Sequence, residues 1–97
     1  LHSFPTRRSS DLFNTLQDFD PSGVAEHPMT NDIYIVTADR ALLVLSPDFE
    51  IKELVKLNRL IYKQPEGICF SPNGTLYISN EGDGARAKLV RLDYLRL

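Results

Sequence analysis

Pro21-Ser22-Gly23-Val24-Ala25-Glu26-His27-Pro28 and Pro65-Glu66-Gly67-Ile68-Cys69-Phe70-Ser71-Pro72 follow one plan. Proline, glycine, a β-branched residue and a second proline recur in register, each displaced by 44 positions. With a slip of one residue, Asp32-Ile33-Tyr34-Ile35 then matches Thr75-Leu76-Tyr77-Ile78. Further on, Leu42-Leu43-Val44-Leu45 matches Leu89-Val90-Arg91-Leu92. Three blocks repeated in the same order mark a chain built from like units rather than from one continuous core.

Each unit reads as short strands. Val24–His27, Ile33–Thr37, Ala41–Leu45 and Ile51–Leu57 are rich in β-branched, aromatic and aliphatic residues. Turn-forming residues part them: 28–32, Asp39-Arg40 and Ser46-Pro47-Asp48. The second unit repeats the plan with Gly67–Phe70, Thr75–Ser79 and Lys88–Asp93, its first turn being Ser71-Pro72-Asn73-Gly74. Residues 50–62 are two-sided, because Ile51, Leu54, Val55, Leu57 and Ile61 also fit helical spacing. Position in the unit favours a strand over 51–57 and leaves room for a single helical turn at 58–62. A repeat of about 40–50 residues made of short strands is the pattern of a propeller blade. The expected fold is therefore all-β, a β-propeller fragment of about two four-stranded antiparallel blades. Residues 21–64 form one blade and 65–97 a second, incomplete one, with 13–20 a remnant of the blade before.

The first twelve residues, Leu1-His2-Ser3-Phe4-Pro5-Thr6-Arg7-Arg8-Ser9-Ser10-Asp11-Leu12, resemble something other than protein. Every residue matches the translation of a widely used sequencing-library adapter. Residues 1–12 are accordingly read as a non-native tail and set aside before fold reasoning. Without Arg7, Arg8 and Asp11 the chain keeps nine basic and twelve acidic residues, a net charge of −3. No clustered positive surface for phosphates is expected, and so no nucleic-acid partner. Arg86, Lys88, Arg91 and Arg96 alternate with apolar residues as an ordinary solvated strand face does. No apolar stretch approaches a membrane span in length. The single cysteine, Cys69, rules out an internal disulfide framework and reads as a small hydrophobe packed in its strand.

Pro21-Ser22-Gly23-Val24-Ala25 with Asp32-Ile33-Tyr34-Ile35-Val36 resembles the SdiA-regulated (YjiK/CarP-like) propellers of bacteria. Lys63-Gln64-Pro65-Glu66-Gly67-Ile68 and Gly74-Thr75-Leu76-Tyr77-Ile78-Ser79-Asn80-Glu81-Gly82 carry the same resemblance, which spans 13 to about 94. It implies an exported or membrane-anchored envelope protein of about six blades, linked in some members to calcium, of which this chain is the C-terminal part. The looser pattern is shared with NHL-type and lactonase-type propellers. A WD40 repeat does not fit a chain without tryptophan.

In a propeller the first strand of each blade lines the channel, so Ser22 and Glu66 hold equivalent places facing the axis. Carboxylates converging there from several blades would suit Ca²⁺, with Asn80 and Glu81 adding oxygens at the channel mouth. The plainer reading makes Glu66 a local backbone partner and Asn80-Glu81-Gly82-Asp83-Gly84 a solvated turn. That run lacks the order of an EF-hand loop. His27, directly before Pro28, reads as a surface residue at a strand end. With no Ser/His/Asp set, phosphate loop or paired-histidine motif in the sequence, the reading favours a non-enzymatic scaffold. The rivals are a lactonase- or phytase-like hydrolase with a channel metal and an NHL-like interaction module.

Overall fold

A computed structural model describes residues 20–82 and 86–92. The readings placed on 1–12, on 13–19, on Asp83, Gly84 and Asp93, and on Arg96 lie outside the described residues. Among the described residues seven strands occur: β1 (Pro21–Glu26), β2 (Ile33–Thr37), β3 (Ala41–Leu45), β4 (Ile51–Lys56), β5 (Pro65–Phe70), β6 (Leu76–Asn80) and β7 (Lys88–Leu92). They form two antiparallel sheets, a four-stranded one in the order β1-β2-β3-β4 and a three-stranded one in the order β5-β6-β7. The chain is all-β among the described residues.

The two sheets share one register. Gly23 pairs with Val36, Ala25 with Tyr34, Val36 with Leu42 and Tyr34 with Val44. In the second sheet Gly67 pairs with Ser79, Cys69 with Tyr77, Ser79 with Leu89 and Tyr77 with Arg91. Both first strands carry the same irregularity. The ladder slips between Pro21 and Gly23 and again between Pro65 and Gly67, so Ser22 and Glu66 are the extra residues of two bulges. Proline at the strand start has no N–H to give the ladder, which suits it to that position. The bulges also explain why β1 and β5 begin earlier than their apolar runs.

The turns repeat as well. In Ser46-Pro47-Asp48-Phe49-Glu50 the Phe49 amide donates to the Ser46 carbonyl (2.9 Å) and the Ser46 amide to the Glu50 carbonyl (2.8 Å). Ser71-Pro72-Asn73-Gly74-Thr75 makes the same two bonds, Gly74 to Ser71 and Ser71 to Thr75, both 2.9 Å. The fourth residue is left-handed in each, Phe49 at φ 66° and Gly74 at φ 90°. Glycine takes that conformation freely, and an exposed phenylalanine pays about 1–2 kcal/mol for it. Phe49→Gly should therefore raise the urea midpoint slightly, the relief exceeding the roughly 0.5–1 kcal/mol entropic cost of glycine. A lowered midpoint would mean that the Phe49 ring contributes packing after all.

The helical alternative for 50–62 loses to pairing, since Leu42, Leu43 and Val44 sit opposite Val55, Leu54 and Glu53. The expected turn at 58–62 is present. The amides of Ile61 (3.0 Å) and Tyr62 (2.8 Å) donate to the Asn58 carbonyl, and the Asn58 side chain accepts from the Leu60 amide at 2.8 Å. It delivers Tyr62 into the core.

That core lies between the sheets. Tyr34, Val36, Leu42 and Val44 meet Leu76 and Ile78, with Val55, Leu57, Ile68, Phe70, Val90 and Leu92 packed around them. Sequence alternation defines two apolar faces on the first sheet without saying which one takes the second. It is the Tyr34 face. Ile33, Ile35, Leu43, Leu45, Ile51 and Leu54 form a separate cluster, and alternation puts Ile33 and Ile35 on the opposite face from Tyr34. Leu42, Leu43, Val44 and Leu45 are all at most 1% exposed, so β3 is enclosed on both sides.

Two readings need correction. Cys69 is exposed, because the register puts it opposite Tyr77 on the face turned away from the first sheet. His27 is half-buried, its ring 4.9 Å from that of Phe70 and 6.1 Å from that of Tyr34. Its Nδ1 accepts from the amides of Met29 (3.1 Å) and Thr30 (3.3 Å), so it organises the β1–β2 turn at the seam between the sheets.

Candidate functional site

The bulge at Glu66 sets the geometry of the candidate site. As the extra residue of β5, Glu66 is pushed out of the ladder and is exposed. Asn80 ends β6 opposite Pro65, and one residue on, the Glu81 amide donates to the Gln64 carbonyl at 2.9 Å. This last bond continues the antiparallel pairing one residue beyond Asn80 and Pro65, and the Glu81 carboxyl interacts with that of Glu66. A hydrogen bond with Glu81, available once one of the two carboxyls is protonated, raises the Glu66 pKa above the usual carboxylate range. That bond to Glu81 is the largest cause, followed by the repulsion between the two charges and then by desolvation.

Asn80 belongs to a different environment. It is 3% exposed and alternates with Leu76 and Ile78 on the core-facing side of β6. Its Nδ2 donates to the Ile78 carbonyl at 3.3 Å, while its buried Oδ1 has no hydrogen-bond partner. The structure thus joins Glu66 to Glu81 and places Asn80 in the core beside them in the chain. Among the described residues, no three or more His, Cys, Asp or Glu side chains gather where they could hold a metal ion. Two carboxylates alone are an incomplete shell for Ca²⁺, which takes roughly 6–8 oxygens.

At the equivalent bulge the chemistry differs. The Ser22 hydroxyl lies 3.1 Å from the Val36 carbonyl and 3.0 Å from the Pro65 carbonyl, and donates toward both. It therefore ties the first strand of one sheet to the first strand of the next. The 44-residue offset identifies Ser22 and Glu66 as equivalents; only the structure gives Ser22 this bridging role. Elsewhere Asp32, mostly buried, pairs with Lys52 Nζ at 2.6 Å. Burial chiefly, and the Asp32 charge next, push the Tyr34 phenol above its ordinary value. Arg86, Lys88 and Arg91 are exposed, as expected of a solvated strand face.

The raised Glu66 pKa fixes the sign of a pH effect. A carboxyl whose folded pKa exceeds its unfolded value favours folding below the unfolded pKa. That contribution is lost as pH rises through the folded value. Glu66→Gln keeps a hydrogen-bonding group and removes the charge. Its urea midpoint should exceed that of the parent chain at neutral pH, with the gap closing in acid. A gap that is absent at neutral pH, or that widens in acid, contradicts the pairing with Glu81.

No protein-family model, no curated protein and no solved structure matches the chain.

Proposed function

We propose that this chain is two repeats of a bacterial envelope β-propeller of the SdiA-regulated type, serving as a non-enzymatic scaffold that binds a ligand or Ca²⁺. The observation that carries the reading is the stacking of two sheets of identical register through their first strands. β1 and β5 come so close that a Cβ on Gly23 would stand 3.2 Å from the Gly67 Cα and 3.2 Å from the Glu66 carbonyl oxygen. Blades in a ring approach each other most closely at their inner strands, which line the channel. The enclosure of β2 and β3 on both faces also favours a sheet that sits between neighbours.

On this reading Glu66 stands at the channel wall, and its carboxyl with that of Glu81 supplies one repeat's share of an oxygen-rich site. Other repeats would supply the remaining ligands for Ca²⁺. The test uses the longer parent chain that the reading requires. Small-angle scattering should give a closed disc with a central channel, and an elongated form would overturn the ring. Calorimetric titration with calcium chloride should release heat that Glu66→Gln diminishes. Heat unchanged by Glu66→Gln would remove Glu66 from the ligands, and turnover of a lactone or phytate would move the protein to the hydrolases.

A further inference from the structure

Of the chain's five asparagines, Asn73 alone precedes a glycine. It stands exposed in the β5–β6 turn, Ser71-Pro72-Asn73-Gly74-Thr75. A backbone amide nitrogen can attack the side-chain carbonyl of the residue before it, and a glycine carries no side chain to obstruct the approach. Here both reacting groups are engaged elsewhere. The Gly74 amide donates to the Ser71 carbonyl at 2.9 Å. Asn73 Oδ1 accepts from the Ser71 hydroxyl, from the Thr75 amide (3.3 Å) and from the Thr75 hydroxyl (3.1 Å). We propose that Asn73-Gly74 is a site of spontaneous succinimide formation gated by this turn, reacting only when the turn opens.

The Gly74 nitrogen loses its proton to solvent base and bonds to Asn73 Cγ. The Cγ–Nδ2 bond breaks, and the side-chain nitrogen leaves as ammonia. Water then opens the cyclic imide at one carbonyl or the other, leaving aspartate or isoaspartate at position 73. The two products differ in what they do to the fold. Aspartate fits, because Ser46-Pro47-Asp48-Phe49-Glu50 makes the same two backbone bonds with Asp48 in the matching place. Isoaspartate routes the main chain through its Cβ and so lengthens the turn. A Cβ built on Gly74 would lie 2.6 Å from Met29 Cε and 3.4 Å from the His27 ring, so Gly74 is packed against the β1–β2 turn. The longer link disturbs that packing beside a ring that itself contacts Phe70 and Tyr34.

The 97-residue chain and a peptide of residues 70–78 are aged side by side at neutral pH. Mass spectrometry after digestion follows conversion of amide to acid at position 73, and an isoaspartyl methyltransferase labels the isoaspartate. Asn73 should convert about tenfold more slowly in the chain than in the peptide, as a group reached through local opening does. Ser71→Ala removes the hydroxyl that bonds Asn73 Oδ1 and accepts from the Thr75 amide at 3.2 Å. It should convert about fivefold faster than the parent chain, the change that one lost hydrogen bond brings. Asn73→Asp should keep the parent's urea midpoint, and the isoaspartyl form should fall below it. Equal rates in chain and peptide, or no conversion in the chain while the peptide is consumed, overturns the proposal. So does a Ser71→Ala rate no faster than the parent's, or an isoaspartyl form as stable as the parent.

Discussion

Replacing Leu42 with alanine is expected to cost about 2–5 kcal/mol, a large share of the chain's stability, and to lower its urea midpoint steeply. Leu42 is 0% exposed and packs within the inter-sheet core, paired laterally with Val36 and Val55. Removing its isobutyl group loses the transfer energy of those carbons and leaves a void between two sheets held in register. Folded chains keep only roughly 0.05–0.15 kcal/mol per residue, so a protein of this length has little to spare. The internal control is its equivalent, Leu89→Ala, which should fall within about 0.5 kcal/mol of the parent because that side chain lies open. Urea unfolding followed by far-ultraviolet circular dichroism reads both. Equal effects at the two positions would mean that the faces of the two sheets are not used differently.

Gly23→Val carries the second large effect, about 1–3 kcal/mol of destabilisation through overpacking. The atoms that the new Cβ would meet, the Glu66 carbonyl oxygen and the Gly67 Cα at 3.2 Å, belong to backbone and cannot swing aside. The two first strands must part instead. Parting them carries the Pro65 carbonyl away from the Ser22 hydroxyl, now 3.0 Å distant. The variant should show a lower urea midpoint together with faster amide exchange in β5. A wild-type midpoint would show that the strands have room to spare.

Much of this fold is legible in the chain. Ile33–Thr37 and Ala41–Leu45 are strands over the residues their composition marks, because unbroken β-branched and aliphatic runs have no other comfortable place. The 44-residue offset foretells that Ser22 and Glu66 are equivalents, and the shared register makes them so in space. What alternation cannot give is the choice of face. Both faces of the first sheet are apolar, so nothing local tells Tyr34 from Ile35 as the partner of the second sheet. Cys69 is exposed rather than packed for a related reason, since a small apolar residue in an apolar strand fits either side. The pairing of Glu66 with Glu81 depends on one backbone bond, Glu81 to Gln64, between residues with no sequence signature. Asn80 sits beside both acids in sequence, yet the two-residue period of the strand sends its side chain into the core.

Two like sheets stack face to face through their first strands. Proton–proton Overhauser contacts in the 97-residue chain test it most directly. Contacts are expected between the Gly23 Hα and the Ile68 methyls, between the Tyr34 and Phe70 rings, and across the core from Leu42 to Leu76 or Ile78. Contacts that instead pair β4 laterally with β5, making one continuous sheet with Leu76 and Ile78 remote from Leu42, would contradict it.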